Sequence, residues 1–400
     1  MENWSIAVHI FLAEEERSFQ ISSFLKTKRM KPEGEKMKKT RKPKNVFIPF
    51  AFSLFFAFSI LAGMNPGLKS PPVQAVAADG QIVHEDGRWR SVFEDVSNDI
   101  VQCLAIDPKN PNIVYFGSVK GVYKTQDDGL SWSAINRGLE NQHGVIKLIL
   151  DPTNPSTIYA GTSNDGIYKS INGGLEWVAA SSGLLSADIN TLCIDPLNSA
   201  MLFAGTKGEG IFRTIDGGAS WTAIKQGLPN DIEVLELFIH PKKPGSIFAG
   251  TKGKGIYRSD DGCQTWVALG HDQSSFRYVF TFAIGQENPS IIYAGLYNGG
   301  VIISKDGGTS WEEMDIFCEI SHTSIYAIAI DPTNSDIVYI GTNVNGVYKS
   351  TDGGKRWVAV NPGGISSSTV KCIAINPHNP LIVYAGTHRG LYRTTKGGLI

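Results

Sequence analysis

The chain has 400 residues, with 37 Lys+Arg against 38 Asp+Glu and a formal net charge of −1. A content of 42% hydrophobic and 19% charged residues allows a sizeable core and excludes general disorder. Near-neutrality excludes a nucleic-acid binder held mainly by phosphate contacts, while the length admits two or three domains or one large all-β domain.

The neutral total averages two unlike parts. Residues 1–45 carry 11 Lys+Arg against 6 Asp+Glu, so the remainder is mildly acidic. The basic run 36–44 precedes an uncharged apolar stretch, 46–64, that holds six Phe. Asn65-Pro66-Gly67, a Pro-rich stretch and Ala75-Val76-Ala77 follow. Basic region, apolar region, helix breaker and small-residue cleavage site are the parts of an export signal. Cleavage after Ala77 is expected. Thirty-six residues precede Met37-Lys38-Lys39, itself a good signal start, so 1–36 is a mis-assigned start or a cytoplasmic extension. The apolar stretch is close to the shortest length that spans a bilayer. An uncleaved anchor with its basic side in the cytoplasm is the alternative, and the only membrane association expected. The predicted organisation is a leader over 1–45, a signal or anchor region over 46–77, and one domain over 81–400. That domain lies outside the cytoplasm, whether periplasmic, cell-surface or secreted.

Five Cys form no disulfide-framework spacing. Cys103, Cys193 and Cys372 sit in apolar strand patterns and read as small hydrophobes. Cys263 and Cys318 fall in turns or loops and read as the more reactive pair.

The body is one unit repeated seven times. It reads V-x-x-I-A-I-D-P-x-N-P-x-I-V-Y-A-G-T-x-x-x-G-V-Y-K-S-x-D-G-G-x-x-W. Its first Asp position recurs at Asp107, Asp151, Asp195, His240, Gly285, Asp331 and Asn376. Its Trp recurs at Trp89, Trp132, Trp177, Trp221, Trp266, Trp311 and Trp357, and only Trp4 lies outside the series. Short apolar runs are punctuated by Gly, Pro, Asn and Asp, and no segment has helical periodicity. Four strands per repeat of about 45 residues predict a β-propeller blade. The last unit stops before its Trp, and Asp86-Gly87-Arg88-Trp89 precedes the first. The prediction is an all-β, seven-bladed β-propeller closed by an N-terminal strand joining the C-terminal blade. The Asp accepts backbone N–H groups across its turn, Gly supplies positive φ, and Trp wedges between blades.

The run Gly346-Val347-Tyr348-Lys349-Ser350-Thr351-Asp352-Gly353-Gly354, followed by Trp357, resembles an Asp box, or bacterial neuraminidase repeat. Similar boxes pair Asp216 with Trp221, Asp261 with Trp266, and Asp306 with Trp311. Asp128 and Cys263 stand where the box has Gly, and Asn172 stands where it has Asp. The resemblance covers about 320 residues and reaches sialidases, xyloglucanase-type glycoside hydrolases, sortilin-type receptors and photosystem II assembly factors. It implies that the box is structural and lies away from the ligand face.

In a propeller the ligand face is built by the loops entering each inner strand and by the loops between second and third strands. The first set contains Asp99, His143, Asp188, Asp231, Arg277, Tyr278 and His322. The second contains Lys252, Lys254, Tyr297 and Arg389. The loops around 270–278 and 315–324 are among the longest of their class. Phe276, Arg277, Tyr278, Phe317 and His322 are therefore the leading contact candidates, with His143, Asp188, Asp231 and Arg389 beside them.

A sialidase needs an arginine cluster and an Arg-Ile-Pro motif. Here Arg213, Arg258 and Arg393 share the repeat position of Lys124, Lys169 and Lys349, and that motif is absent. A glycoside hydrolase needs two carboxylates about 5–10 Å apart. Asp99, Asp188, Asp231, Glu233 and Glu236 are available, but nothing singles out two. The eight His show no metal-ligand spacing. The segment Gly205-Thr206-Lys207-Gly208-Glu209-Gly210 lacks the helix a phosphate cradle requires. No metal and no cofactor are expected. The expectation is an exported, non-enzymatic propeller that binds a protein or glycan, with a carbohydrate-active hydrolase as the alternative.

Overall fold

A computed structural model describes residues 75–76, 82–83, 87–92, 99–139, 144–269, 276–314, 323–366 and 368–398. The basic leader and its apolar stretch lie outside these residues, as do Cys318, Phe317, His143 and His322. At the expected cleavage site, Ala75 and Val76 pair antiparallel with Val83 and Ile82.

Seven four-stranded antiparallel sheets make up the body. Their innermost strands are Val101–Ile106, Val145–Leu150, Ile189–Asp195, Val234–Ile239, Val279–Ile284, Ile325–Asp331 and Val370–Ile375. We number the blades 1 to 7 in that order. Each innermost strand neighbours the next, and the seventh neighbours the first. The ring is a seven-bladed β-propeller with no helix among the described residues. Its seventh sheet takes Val383–Thr387 and Gly390–Thr394 from the C-terminus and Arg90–Ser91 from the N-terminus. Arg90 lies opposite Arg393 and Ser91 opposite Tyr392. The predicted closure is present, two residues downstream of Arg88.

The repeat's A-G-T segment lies in the second strand, which is buried along its length in blades 1 and 2. Both of its faces meet protein, so it reads as a continuous apolar run rather than an alternating one. Its Gly is required by the next blade. A Cβ on Gly161 would lie 2.7 Å from Ile189, and one on Gly386 would lie 2.6 Å from Val101. The second contact joins blade 7 to blade 1.

The Asp-containing turn behaves as its residue types dictate. Asp216 accepts from the Thr214 hydroxyl at 2.6 Å, the Ser220 N–H at 3.0 Å and the Ser220 hydroxyl at 2.6 Å. Gly217 and Gly218 adopt φ of 67° and 89°. Asp128 and Cys263 hold the same left-handed geometry without being Gly, at φ of 58° and 69°. The Trp reaches the preceding blade: Trp221 Nε1 donates to the Ala180 carbonyl at 2.8 Å, and Trp177 Nε1 to that of Ile135 at 2.7 Å. Tyr and Lys complete the joint in the other direction. Tyr159 Oη and Lys169 Nζ both donate to the Gly217 carbonyl, at 3.0 and 2.8 Å.

Cys263 is enclosed by the protein although it lies in a turn. It is 1% exposed, and burial pushes its thiol far above its ordinary range. The thiolate needed for chemistry is therefore suppressed.

These turns predict an acid limit. Hydrogen bonds from Thr265 hold Asp261 at about 2, and those from Arg356 hold Asp352 at about 2, against an ordinary 3.8. Ser220 and Ser310 lower Asp216 and Asp306 in the same way. A lowered folded-state pKa contributes stability above the unfolded value and loses it as pH falls through the folded one. Melting temperature should be level above about pH 5 and fall between about pH 4 and 2. Combined Asp216→Asn and Asp306→Asn should flatten part of that fall, as circular dichroism would record.

Candidate functional site

The two predicted loop sets share one face, because backbone bonds tie them within each blade. Lys252 N–H donates to the Glu233 carbonyl at 3.0 Å, Tyr297 N–H to that of Tyr278 at 3.1 Å, and His388 N–H to that of Thr369 at 3.1 Å. Arg277 is exposed, and its carbonyl receives N–H groups from Gly253 and Gly255 at 2.8 and 3.1 Å. Tyr278 is 39% exposed beside it. Phe276 is instead buried against Phe282 and Ile302 and is a core residue. Arg389 is exposed in blade 7, apart from the Arg277 loop of blade 5.

The carboxylates considered for hydrolysis are engaged or enclosed. Asp188 accepts the Asn164 N–H at 3.0 Å. Asp231 lies 3.8 Å from Lys254, and Glu233 lies 2.9 Å from Lys252. Glu236 binds Lys147 through both oxygens, at 2.7 and 3.0 Å, and accepts from Thr191 at 3.2 Å. Asp99 is fully buried, and neither carboxylate oxygen has a hydrogen-bond partner among the described residues. No group of three or more His, Cys, Asp or Glu there could hold a metal.

Beneath the loop face runs a central channel that periodicity did not single out. Every innermost strand carries a register shift around its second residue, as where Val101 faces Ser118 but Cys103 faces Gly117. The shift recurs in all seven blades. A bulge leaves one residue without a cross-strand partner and re-aims it. The seven residues so freed are Gln102, Ile146, Asn190, Leu235, Phe280, Tyr326 and Lys371. All of them line one cavity of about 310 Å³.

One residue deeper, the Lys147–Glu236 pair joins blade 2 to blade 4. Burial disfavours the charge on Lys147, but the adjacent Glu236 outweighs it and its pKa is raised. Lys371 differs. Its ammonium stands 4.2 Å from the Tyr326 ring centroid, and burial lowers its pKa. No carboxylate acts on it among the described residues.

Aromatic rings connect this cavity with the loop face. Ring centroids lie 4.8 Å apart for Phe280–Tyr326, 6.0 Å for Phe280–Tyr297 and 5.7 Å for Tyr278–Tyr297. Tyr297, like Tyr278, is half exposed. The row therefore starts in solvent and ends beside a half-buried cation.

No family model and no curated protein matches the chain. Solved structures do. A xyloglucanase from Xanthomonas campestris is 17% identical with a TM-score of 0.64, over 78% of this chain and 54% of that one. The chain thus spans about half the length of that enzyme. YCF48 from Cyanidioschyzon merolae is 17% identical with a TM-score of 0.60, over 78% of this chain and 100% of that one. An extracellular domain of a hybrid two-component system from B. thetaiotaomicron is 16% identical with a TM-score of 0.62, over 77% and 39%. At such identities these likenesses establish the fold: the chain is a seven-bladed β-propeller of the architecture these proteins share.

Proposed function

We propose that this chain is an exported, non-enzymatic propeller that binds a protein or glycan partner through its loop face, as an interaction or assembly scaffold. The observation that carries the reading is the aromatic row from Tyr278 to Tyr326, open at the loop face while the nearby carboxylates are engaged or buried. Rigid rings bearing loops suit binding, because the scaffold holds contact residues in place. The Asp-box resemblance, which reaches sortilin-type receptors, fits this role. A related solved structure is YCF48 bound to a D1 peptide. The basic, apolar and small-residue segments over 1–77 support delivery outside the cytoplasm, by a cleaved signal or an anchor. Arg277, Tyr278 and Arg389, with Tyr297, are the contact residues proposed for the partner.

A glycoside hydrolase remains the competing class, on the likeness to xyloglucanases. The engaged carboxylates weigh against it, since hydrolysis needs one carboxyl held as an acid and another free as base or nucleophile. The test is capture of the partner from the native envelope fraction by wild type and by Arg277→Ala/Tyr278→Ala. The double variant should melt at the same temperature and capture about tenfold less, as exposed Arg and Tyr contacts do. Equal capture would remove the loop-face assignment. Reducing-end release from a polysaccharide panel would replace the binding reading with the hydrolase one.

A further inference from the structure

The repeat is nearly constant before the bulge and varies after it, through Cys, Lys, Thr, Glu and Ala. The residue before it is Val or Ile in every blade and fully or almost fully buried. The bulge residue itself is of seven different types, from Gln102 through Lys371. A position that only closed the ring would need no such variety. Its arrangement is ordered by chemistry around the axis. Leu235, Phe280 and Tyr326 form a continuous apolar arc over blades 4, 5 and 6. Lys371 and Gln102 follow in blades 7 and 1, and Asn190 lies across the channel in blade 3.

The unmatched charge defines what is missing. Glu236, the one carboxylate lining the cavity among the described residues, is already bound at both oxygens by Lys147. Lys371 is held over Tyr326 by a cation–π contact, which fixes its position without neutralising it. An anion entering from the loop face would complete it. Tyr326 lies between the Phe280 ring and the Lys371 ammonium, so Phe280 is left to meet the apolar face of a pyranose, and the side-chain amides of Gln102 and Asn190 suit its hydroxyls. The cavity of about 310 Å³ is at the lower end of small-ligand sites and has room for one sugar ring. Tyr297 and Tyr278 then stand where the next unit of a chain would pass.

We propose that the channel binds the acidic end of a glycan, with a terminal uronic acid against Phe280 and its carboxylate on Lys371. This rests on the loop-face reading and names its ligand class. The full chain is titrated calorimetrically with glucuronic acid, galacturonic acid and digalacturonate, and with glucose and galactose as neutral counterparts. The acids should bind at least about tenfold more tightly than the neutral sugars, the effect of one charge-assisted contact. Lys371→Met, which keeps the apolar stem, should abolish that preference at an unchanged melting temperature. Lys371→Arg should keep it, and Phe280→Leu should weaken acid and neutral sugars alike. Equal binding of acid and neutral sugars, no binding of any acid, or a preference that survives Lys371→Met would overturn the proposal. So would binding at Lys371 of a peptide C-terminus in place of the acids. If capture still depends on Arg277 and Tyr278 while no sugar binds, the loop-face reading stands and the glycan assignment falls.

Discussion

Replacing Trp89 with alanine is expected to open the ring at its seam. Trp89 is 1% exposed and packs with Tyr339, Val360 and Ile365. Its indole N–H donates to the Val360 carbonyl at 2.5 Å, and its backbone N–H to the Pro362 carbonyl at 2.8 Å. A Cβ on Gly363 would lie 2.0 Å from the Trp89 carbonyl, so the adjoining loop is moulded to this residue. Among the described residues the strand it leads into pairs in register at Arg90 and Ser91, with one further backbone bond from Val92 N–H to the Leu391 carbonyl at 3.1 Å. The side chain, rather than the ladder, therefore anchors the closure. Truncating a buried Trp costs about 3–5 kcal/mol, and here the loss falls on the joint between chain ends. Trp132 is the control, because it is only partly buried and its indole N–H has no partner among the described residues. Guanidinium unfolding should show a much larger midpoint shift for Trp89→Ala than for Trp132→Ala. Equal shifts would mean that the N-terminal strand contributes little.

The second large effect is expected at Asp128, on the other side of the same seam. At ordinary joints a Tyr hydroxyl and a Lys ammonium reach the carbonyl of a Gly, as at Gly397, where Tyr339 and Lys349 each donate at 3.1 Å. Between blades 7 and 1 the partner is a carboxylate. Tyr384 Oη donates to Asp128 Oδ1 at 2.7 Å, and Arg393 forms an ion pair with Oδ2. Both side chains are largely enclosed, at 20% and 12% exposure for Asp128 and Arg393. Asp128→Ala strands the guanidinium and should cost about 3 kcal/mol, the lower end for a broken buried pair. Asp128→Gly loses the same pair but relieves the left-handed φ of 58°, so it should cost about 1 kcal/mol less. A double-mutant cycle with Arg393→Met isolates the pair, with a coupling of about 1–3 kcal/mol expected. A glycine variant more stable than wild type would show the charge pair to be dispensable.

Asp128 also shows what the sequence makes legible. The Trp period and the truncated last unit were enough for blade number, closure and the wedge role of the indole. Asp128 reads there only as a departure from the box, because its partners lie 256 and 265 positions away. Strand limits shifted slightly for the same kind of reason. The apolar run Thr157–Ala160 reads as the second strand of blade 2, and the strand runs Ile158–Thr162, because pairing with its neighbours decides where a strand ends. Phe276 sits in a long loop yet belongs to the core, since loop membership says nothing about which way a ring turns. The channel ring was hidden by the V-x-x-I pattern, in which the bulge residue counts as filler. Its variation through seven residue types directly after a constant Val or Ile is the signal that would have found it.

The bulge separates two tasks that β-sheet proteins usually combine. The ladder, the glycines and the Trp wedges determine whether the ring forms. The seven channel residues have no cross-strand partner, so they can change without altering the register. Selectivity can therefore drift, or be redesigned, while the scaffold remains under its own constraints. The same set of seven side chains, advanced by one blade, would give a differently oriented pocket in the same protein.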